Sequence, residues 1–143
     1  MNIRRWEFSD NKQIEVMEKE YFPDPWNFKM LTETVLNDNF VGFVLDDEGV
    51  VKGYIGATYC LNEAEIILVA VSKKIRREGY ATKLLSEAEK YLSERGVDRL
   101  LLEVRRSNYG AQKCYVKFGF SVLAIRQGYY SGGEDALVME KRL

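Results

Sequence analysis

The chain has 143 residues, a formal net charge of −1, and 46% hydrophobic and 30% charged residues. Domains usually contain about 100–200 residues, so this length predicts one globular domain over 1–143. The small net charge disfavours broad electrostatic binding to nucleic acid, and no apolar run is long enough to span a membrane. The absence of histidine excludes Ser-His-Asp and Cys-His catalysis and histidine metal ligands, and no metal site is expected.

The two cysteines, Cys60 and Cys114, have neither metal-ligand spacing nor the pattern of a disulfide framework. No apolar segment follows the basic pair Arg4-Arg5, as it would in a secretory signal. We therefore expect a cytoplasmic protein whose cysteines are reduced thiols.

The first part of the chain predicts strands and short helices. Prolines in the segment 22–26 end a first helix, because proline cannot continue one. The turn 46–49 joins two segments with strand character. The predicted elements are a strand over 3–8, a helix capped by Ser9 or Asp10, a second helix capped by Asn27, and strands over 40–45 and 50–60.

The apolar, largely β-branched segment 66–72 predicts a strand buried on both faces. A basic turn with Gly79 follows it, and a helical pattern begins at once. The first turn of a helix has unpaired N–H groups and a positive dipole end, and glycine lets the backbone approach an anion closely. The spacing differs from a P-loop and from a dinucleotide turn. The segment predicts a site for a phosphorylated ligand, with a solvated basic turn as the alternative.

The rest of the chain predicts a strand, a helix and a closing hairpin. These elements are a strand over 99–106, a helix through 111–118 that ends at Gly119, and strands over 120–126 and 136–141. A strand–helix–strand unit over 65–105 implies two parallel neighbours, because a crossover helix returns the chain in the same direction. The predicted fold is α/β: one mixed, mostly antiparallel twisted sheet with helices on both faces.

Two motifs resemble a known enzyme family. The run Arg76-Arg77-Glu78-Gly79-Tyr80-Ala81 resembles the acetyl-coenzyme A pyrophosphate loop, [Q/R]-x-x-G-x-[G/A], of the GCN5-related N-acetyltransferases (GNAT). The segment 102–120, with L-E-V-R-x-S-N-x-x-A-x-x-x-Y-x-x-x-G-F, is similar to the RimI-type ribosomal-protein-alanine N-acetyltransferases. The segments 22–26 and 129–136 match the same group. The resemblance implies a GNAT fold whose central parallel strands splay apart.

The resemblance also implies roles for individual residues. Glu103 would be the general base and Tyr115 the acid that protonates the leaving thiolate. The residues alone favour the alternatives, in which Glu103 is an exposed or salt-bridged strand residue and Tyr115 is a core residue. The acetyl-coenzyme A site would comprise Val69, Ala70, Val71, Arg76, Arg77, Glu78, Gly79, Tyr80, Ala81, Thr82 and Asn108. The peptide groove would comprise Trp26, Tyr129, Tyr130 and Asp135, with loop packing as the alternative for the aromatic residues.

The expected reaction is direct transfer of an acetyl group from acetyl-coenzyme A to the amino terminus of a protein. The resemblance implies the amino-terminal alanine of small-subunit ribosomal protein 18 as acceptor. Direct binding to nucleic acid or to a membrane is not expected, and the expected state is a monomer or weak dimer. The alternatives are a GNAT enzyme with another protein or small-amine acceptor, a non-catalytic acyl-coenzyme A sensor, and a small nucleotide-binding module.

Overall fold

A computed structural model describes all 143 residues and contains one seven-stranded sheet with four α-helices. The elements are β1 (Asn2–Arg5), α1 (Asn11–Tyr21), α2 (Phe28–Val35), β2 (Phe40–Asp47), β3 (Val50–Cys60), β4 (Glu63–Val71), α3 (Tyr80–Ser93), β5 (Arg99–Arg105), α4 (Tyr109–Phe118), β6 (Ser121–Arg126) and β7 (Ala136–Arg142). The strand order is β1-β2-β3-β4-β5-β7-β6. Only β4 and β5 are parallel, which confirms the predicted mixed, mostly antiparallel sheet.

The parallel pair separates partway along its length. Pairing between β4 and β5 runs from Glu63 opposite Arg99 to Ile66 opposite Leu102 and then ends. Beyond that point β5 stays paired with β7 as far as Arg105, whereas β4 stays paired with β3 as far as Val71. The two strands therefore leave between them an opening, here called the strand gap, and the predicted splay is confirmed.

An irregularity in β4 accompanies this separation. The register between β3 and β4 shifts after Ile66, so that Ile67 is left without a partner. A bulge of this kind bends its strand and changes which face the following side chains occupy. Ile66 packs into the core beneath α3 and α4, whereas Leu68 and Ala70 pack on the opposite side of the sheet with α1 and α2.

The two faces of the sheet are covered unequally. One cluster of 18 buried residues joins α3 and α4 to the sheet, including Leu100, Leu102 and Val104 of β5. A second cluster of 10 joins α1 and α2 to β2, β3 and β4 only. On this second face, the half formed by β5, β7 and β6 has no helix over it, and it carries the alternate residues of β5, including Glu103 and Arg105. Apolar alternation along β5 thus places the polar side chains on the open face.

The first strand is shorter than the predicted 3–8. It ends at Arg5, and a 3-10 turn over Phe8–Asp10 follows. The Asp10 carboxylate stabilises this turn, because it accepts hydrogen bonds from the Glu7 N–H and from Arg4. Asp10 therefore caps the turn, and its side chain does not cap α1. No helix in the structure combines the length and the apolar character needed to cross a membrane.

Candidate active site

The strand gap exposes backbone N–H groups of β4. The Ser72 N–H donates to the Lys52 carbonyl of the β3 side at 2.8 Å. Because successive backbone N–H groups of a strand point in opposite directions, Ala70 also faces β3 and Val69 and Val71 face the gap. Two of the three predicted residues therefore present an N–H group to the opening, and the N–H of Ala70 is directed away from it.

The turn that follows β4, residues 76–82, is the second source of free N–H groups and is here called the glycine turn. Gly79 lies at the start of α3 with φ of +84°, and Arg77 has φ of +66°. None of the N–H groups of 77–82 has a hydrogen-bond partner, and no side chain caps α3. A Cβ atom placed on Gly79 would meet nothing within 4 Å, so the turn is open to solvent. Unpaired donors and a positive helix end are the features that favour an anion.

Arg76 does not extend into that opening. Its Nε donates to the Val71 carbonyl at 3.0 Å, and its guanidinium lies 5.0 Å from the centre of the Tyr21 ring. The Tyr21 hydroxyl also accepts a hydrogen bond from the Lys73 N–H at 3.2 Å. Tyr21, the last residue of α1, thus contacts both Lys73, which lies just after β4, and Arg76, the first residue of the glycine turn.

Glu103 lies at the open face of β5 with its side chain 17% exposed. Its Oε2 is buried and has no hydrogen-bond partner, and its Oε1 lies 3.7 Å from the Arg126 guanidinium. A buried carboxylate oxygen without a partner is costly and uncommon outside functional sites. The Glu103 charge is the largest cause that raises the pKa of Tyr129. The pKa of Glu65 is also raised, first by burial and then by the Glu103 charge.

Tyr115 lies on α4 and is buried, with its ring edge-on to Phe120 at 5.9 Å. Its hydroxyl has no hydrogen-bond partner, and burial raises its pKa above the usual value, with smaller contributions from Cys114 and Tyr130. Burial also raises the pKa of Tyr130 to about 12, followed by the charge of Glu103. Tyr130 therefore neighbours both predicted catalytic side chains, and Tyr115 keeps its proton at neutral pH.

Asn108 and Asp135 have structural partners. The Asn108 Oδ1 accepts from the Ala111 N–H at 3.2 Å and so caps α4, as the sequence predicts. Both carboxylate oxygens of Asp135 are engaged, one by Arg106 at 3.1 Å and the other by the Gly128 N–H at 3.0 Å. Asp135 thus holds the loop between β6 and β7 through both of its carboxylate oxygens.

Two loops, 22–27 and 127–135, border the open face and are here called the first and second loops. The Trp26 N–H in the first loop donates to buried Glu18 of α1 at 3.1 Å. In the second loop the Tyr129 and Tyr130 rings meet edge-on at 5.1 Å. Arg105 reaches both loops, since its guanidinium bonds Asp24 in the first and Glu134 in the second.

The structure thus groups the predicted residues in two places. Val69, Val71 and the glycine turn line one side, and Glu103, Tyr129 and Tyr130 lie at the other, with Tyr115 of α4 near enough to Tyr130 for the two hydroxyls to influence each other. Two residues outside the predicted set contact the second group: the Arg105 guanidinium lies 4.3 Å from the centre of the Tyr130 ring, and the Arg126 guanidinium lies 5.1 Å from the centre of the Tyr129 ring. Arg105 stands two residues after Glu103, so strand alternation in the sequence places it on the same face as Glu103, and the structure confirms this placement.

Comparison with known proteins identifies the family. The sequence pattern of the acetyltransferase (GNAT) family matches residues 11–120. The chain is 33% identical over 118 residues to the [ribosomal protein bS18]-alanine N-acetyltransferase of Escherichia coli strain K12, covering 80% of this chain and 79% of that protein. It is 27% identical to an N-alpha-acetyltransferase of Saccharolobus solfataricus, covering 99% and 92%.

A solved structure agrees with these sequence matches. The crystal structure of the ribosomal-protein-S18-alanine N-acetyltransferase from Escherichia coli superposes with a TM-score of 0.90 at 30% identity, covering 99% of this chain and 92% of that chain. The chain thus shares its overall fold and about a third of its aligned residues with that enzyme. The chain belongs to the GNAT acetyltransferase family and is an N-acetyltransferase.

Proposed function

We propose that residues 1–143 form one catalytic domain that transfers the acetyl group of acetyl-coenzyme A to the α-amine of a protein amino terminus. We propose the amino-terminal alanine of ribosomal protein bS18 as the acceptor. The observation that carries the proposal is the Glu103 carboxylate, which has one buried oxygen without a partner and lies on the open face of β5 beside the strand gap. Its place suits a base that receives a proton from an incoming amine.

The residues present fit acetyl-coenzyme A. The free N–H groups of 77–82 and the open space at Gly79 suit the pyrophosphate, and the exposed Arg77 adds positive charge. The Val69 and Val71 N–H groups suit the amides of the pantetheine arm, which would lie in the strand gap as an added strand. Asn108, beside the first turn of α4, is proposed to contact the same arm in addition to capping the helix. The bound thioester supplies an already activated acetyl group, so no acyl-enzyme is needed.

In the proposed mechanism the amine attacks the acetyl carbonyl while Glu103, directly or through water, takes the amine proton. The pKa of an α-amine is about 7.7–8.0, so the base need not be strong. Negative charge that develops on the carbonyl oxygen is stabilised by an N–H group of the strand gap, from Val69 or Val71. Tyr115 then donates its proton to the leaving sulfur, for which a hydroxyl that stays protonated is suited.

The choice of acceptor is supported by the relatives and by the shape of the site. The Escherichia coli relatives are named for the alanine of ribosomal protein bS18 or S18, and the archaeal relative is named as an N-alpha-acetyltransferase. Trp26, Tyr129 and Tyr130 border the open face and offer apolar surface to the first residues of a peptide. Because Asp135 already has partners for both oxygens, we propose that it holds the second loop in place.

Incubation with acetyl-coenzyme A and a panel of peptides, read by mass spectrometry, tests the proposal. The panel would contain the bS18 amino-terminal sequence, the same peptide with alanine replaced or its α-amine blocked, and small amines such as polyamines. We expect acetylation of the α-amine of the alanine-starting peptide and none of the blocked peptide. Efficient acetylation of small amines without the peptide would contradict the proposed acceptor. Acetyl-coenzyme A binding without transfer to any amine would favour an acyl-coenzyme A sensor.

A further inference from the structure

Arg105 connects several segments that border the site, although it is not among the residues expected to bind cofactor or peptide. It follows Glu103 by two positions on β5 and lies on the same open face, with its side chain only 17% exposed. Its Nη1 donates to Glu134 at 2.9 Å, its Nη2 donates to Asp24, and its guanidinium lies 4.3 Å from the centre of the Tyr130 ring. One side chain thus contacts the first loop, the second loop and the ring that neighbours Glu103.

The partners of Arg105 are themselves fixed. The Glu134 Oε2 accepts from the Ser107 N–H at 3.0 Å, and the Glu134 carbonyl accepts from the Tyr130 N–H at 3.0 Å. Asp24 Oδ2 also accepts from the Ser131 N–H at 3.3 Å, a direct contact between the two loops. Hydrogen bonding from Ser131 and the charge of Arg105 hold the pKa of Asp24 below its usual value, so its carboxylate is ionised at neutral pH.

We infer that Arg105 is a positioning residue that joins the first and second loops into one wall of the acceptor site and sets the place of the Tyr130 ring. A guanidinium can do this because it is planar and presents several donors in a fixed arrangement, so it binds two carboxylates while it stacks on an aromatic ring. A lysine ammonium, a point charge on a flexible stem, cannot do all three. Loops that are ordered before the peptide arrives reduce the entropy cost of binding.

This inference rests on the proposed function for its kinetic consequence only. If the loops form the acceptor wall, their loosening should weaken peptide binding and leave the glycine turn unchanged. The coupling of the loops, in contrast, is a property of the free protein and can be measured without any acceptor. The two claims can therefore fail separately.

Hydrogen exchange of the free protein tests the coupling. In Asp24→Asn, we expect exchange in 128–134 to become at least about tenfold faster, although the substitution is in the other loop. In Arg105→Lys, both loops should exchange faster. The control is Arg106→Lys: Arg106 is 59% exposed and bonds Asp135 in the second loop but nothing in the first, so exchange in 22–27 should not change. Unchanged exchange in the second loop of Asp24→Asn would overturn the inference.

Kinetics test the positioning role. For Arg105→Lys and Asp24→Asn we expect the peptide KM to rise about tenfold, while kcat and the acetyl-coenzyme A Kd change by less than about threefold. The Asp24 side chain is 45% exposed, so this variant should fold even if a change at Arg105 does not. A peptide KM that stays at the wild-type value, or that rises only together with the acetyl-coenzyme A Kd, would overturn the role. If the wild-type protein acetylates no peptide, the proposed function fails and hydrogen exchange alone decides the coupling.

Discussion

The cofactor side and the acceptor side of the site are built differently. Apart from Asn108, the cofactor side is one continuous segment, 66–82, and its proposed ligand-binding groups are mainly backbone N–H groups left free by the strand gap and by the start of α3. The acceptor side is assembled from side chains of β5, α4 and two loops that are distant in sequence. We therefore expect the first side to tolerate most side-chain changes and to fail when its backbone is blocked, and the second side to depend on individual side chains.

The largest expected effect comes from blocking the backbone at Gly79. Gly79→Glu adds bulk and a negative charge where the pyrophosphate should lie. We expect acetyl-coenzyme A binding to weaken by at least about 100-fold, because like charges in contact cost several kcal/mol. The fold should persist, since a Cβ atom at this position meets nothing within 4 Å and the left-handed φ of +84° adds only about 1–2 kcal/mol of strain. Titration calorimetry measures the affinity.

The matched control for this variant is Gly79→Asn. Asparagine tolerates the left-handed conformation that φ of +84° requires and adds no charge. Its affinity for acetyl-coenzyme A should lie much nearer to that of the wild type. Equal affinities for the glutamate variant and the wild-type protein, both folded, would refute the pyrophosphate site.

The next effect concerns a single side chain on the acceptor side. Glu103→Gln keeps the size and polarity of the residue and cannot accept the proton. We expect kcat to fall by about 10²–10⁴-fold, the usual contribution of general base catalysis, with acetyl-coenzyme A affinity unchanged. Glu87→Gln, on the exposed side of α3, is the control and should keep full activity. Normal turnover by Glu103→Gln at neutral pH would contradict the role of Glu103 as base. Catalysis would then depend on the positioning of the two substrates and on the N–H groups of the strand gap.

A smaller kinetic effect is expected at Tyr115. Tyr115→Phe keeps the ring packed against Phe120 and removes a hydroxyl that has no hydrogen-bond partner, so stability should change little. The rate should fall by about 10²-fold, the lower end of the range for proton transfer, because a thiolate is a good leaving group. Raising the pH should not restore this rate. Wild-type turnover by Tyr115→Phe would show that Tyr115 is a core residue and does not donate the proton.

The smallest effect is on stability and comes from Glu18, which supports the first loop. Burial raises the pKa of Glu18 in the folded state above its unfolded value. Its contribution to stability is therefore fully present below the unfolded pKa of about 4.3 and is lost as the pH rises through the folded pKa. Glu18→Gln removes this titration, so its free energy of unfolding should improve relative to wild type as the pH rises above about 4.3. Urea unfolding at several pH values measures the difference in free energy of unfolding between the variant and the wild type. A difference that does not change with pH would contradict the raised pKa of Glu18.

The features of the site that could be predicted from the sequence are those built from residues that are neighbours in the chain. The glycine turn was predicted as an anion site because strand, glycine and helix stand next to one another in the chain. The alternation of β5 placed Glu103 on the face opposite Leu102 and Val104, and the structure confirms this placement. Both inferences depend on local patterns.

The junction at Arg105 has no such local pattern. Its two carboxylate partners, Asp24 and Glu134, are 81 and 29 residues away in sequence. Carboxylates in loops are common, so only the fold shows that these two meet the same guanidinium. The same reason applies to Asp135: the resemblance implies a place in the peptide groove, and only the fold shows that its oxygens accept from the Arg106 guanidinium and the Gly128 N–H.

The pH dependence of the Glu103→Gln defect tests the central claim most directly. The measurement is the ratio of kcat/KM for wild type and Glu103→Gln on an alanine-starting peptide, from about pH 6.5 to about pH 9.5, a range that brackets the α-amine pKa of about 7.7–8.0. If Glu103 takes the proton from the amine, the ratio should fall as the pH rises, because more of the amine is already deprotonated in solution. A ratio that stays constant across this range would contradict the assignment of Glu103 as the base.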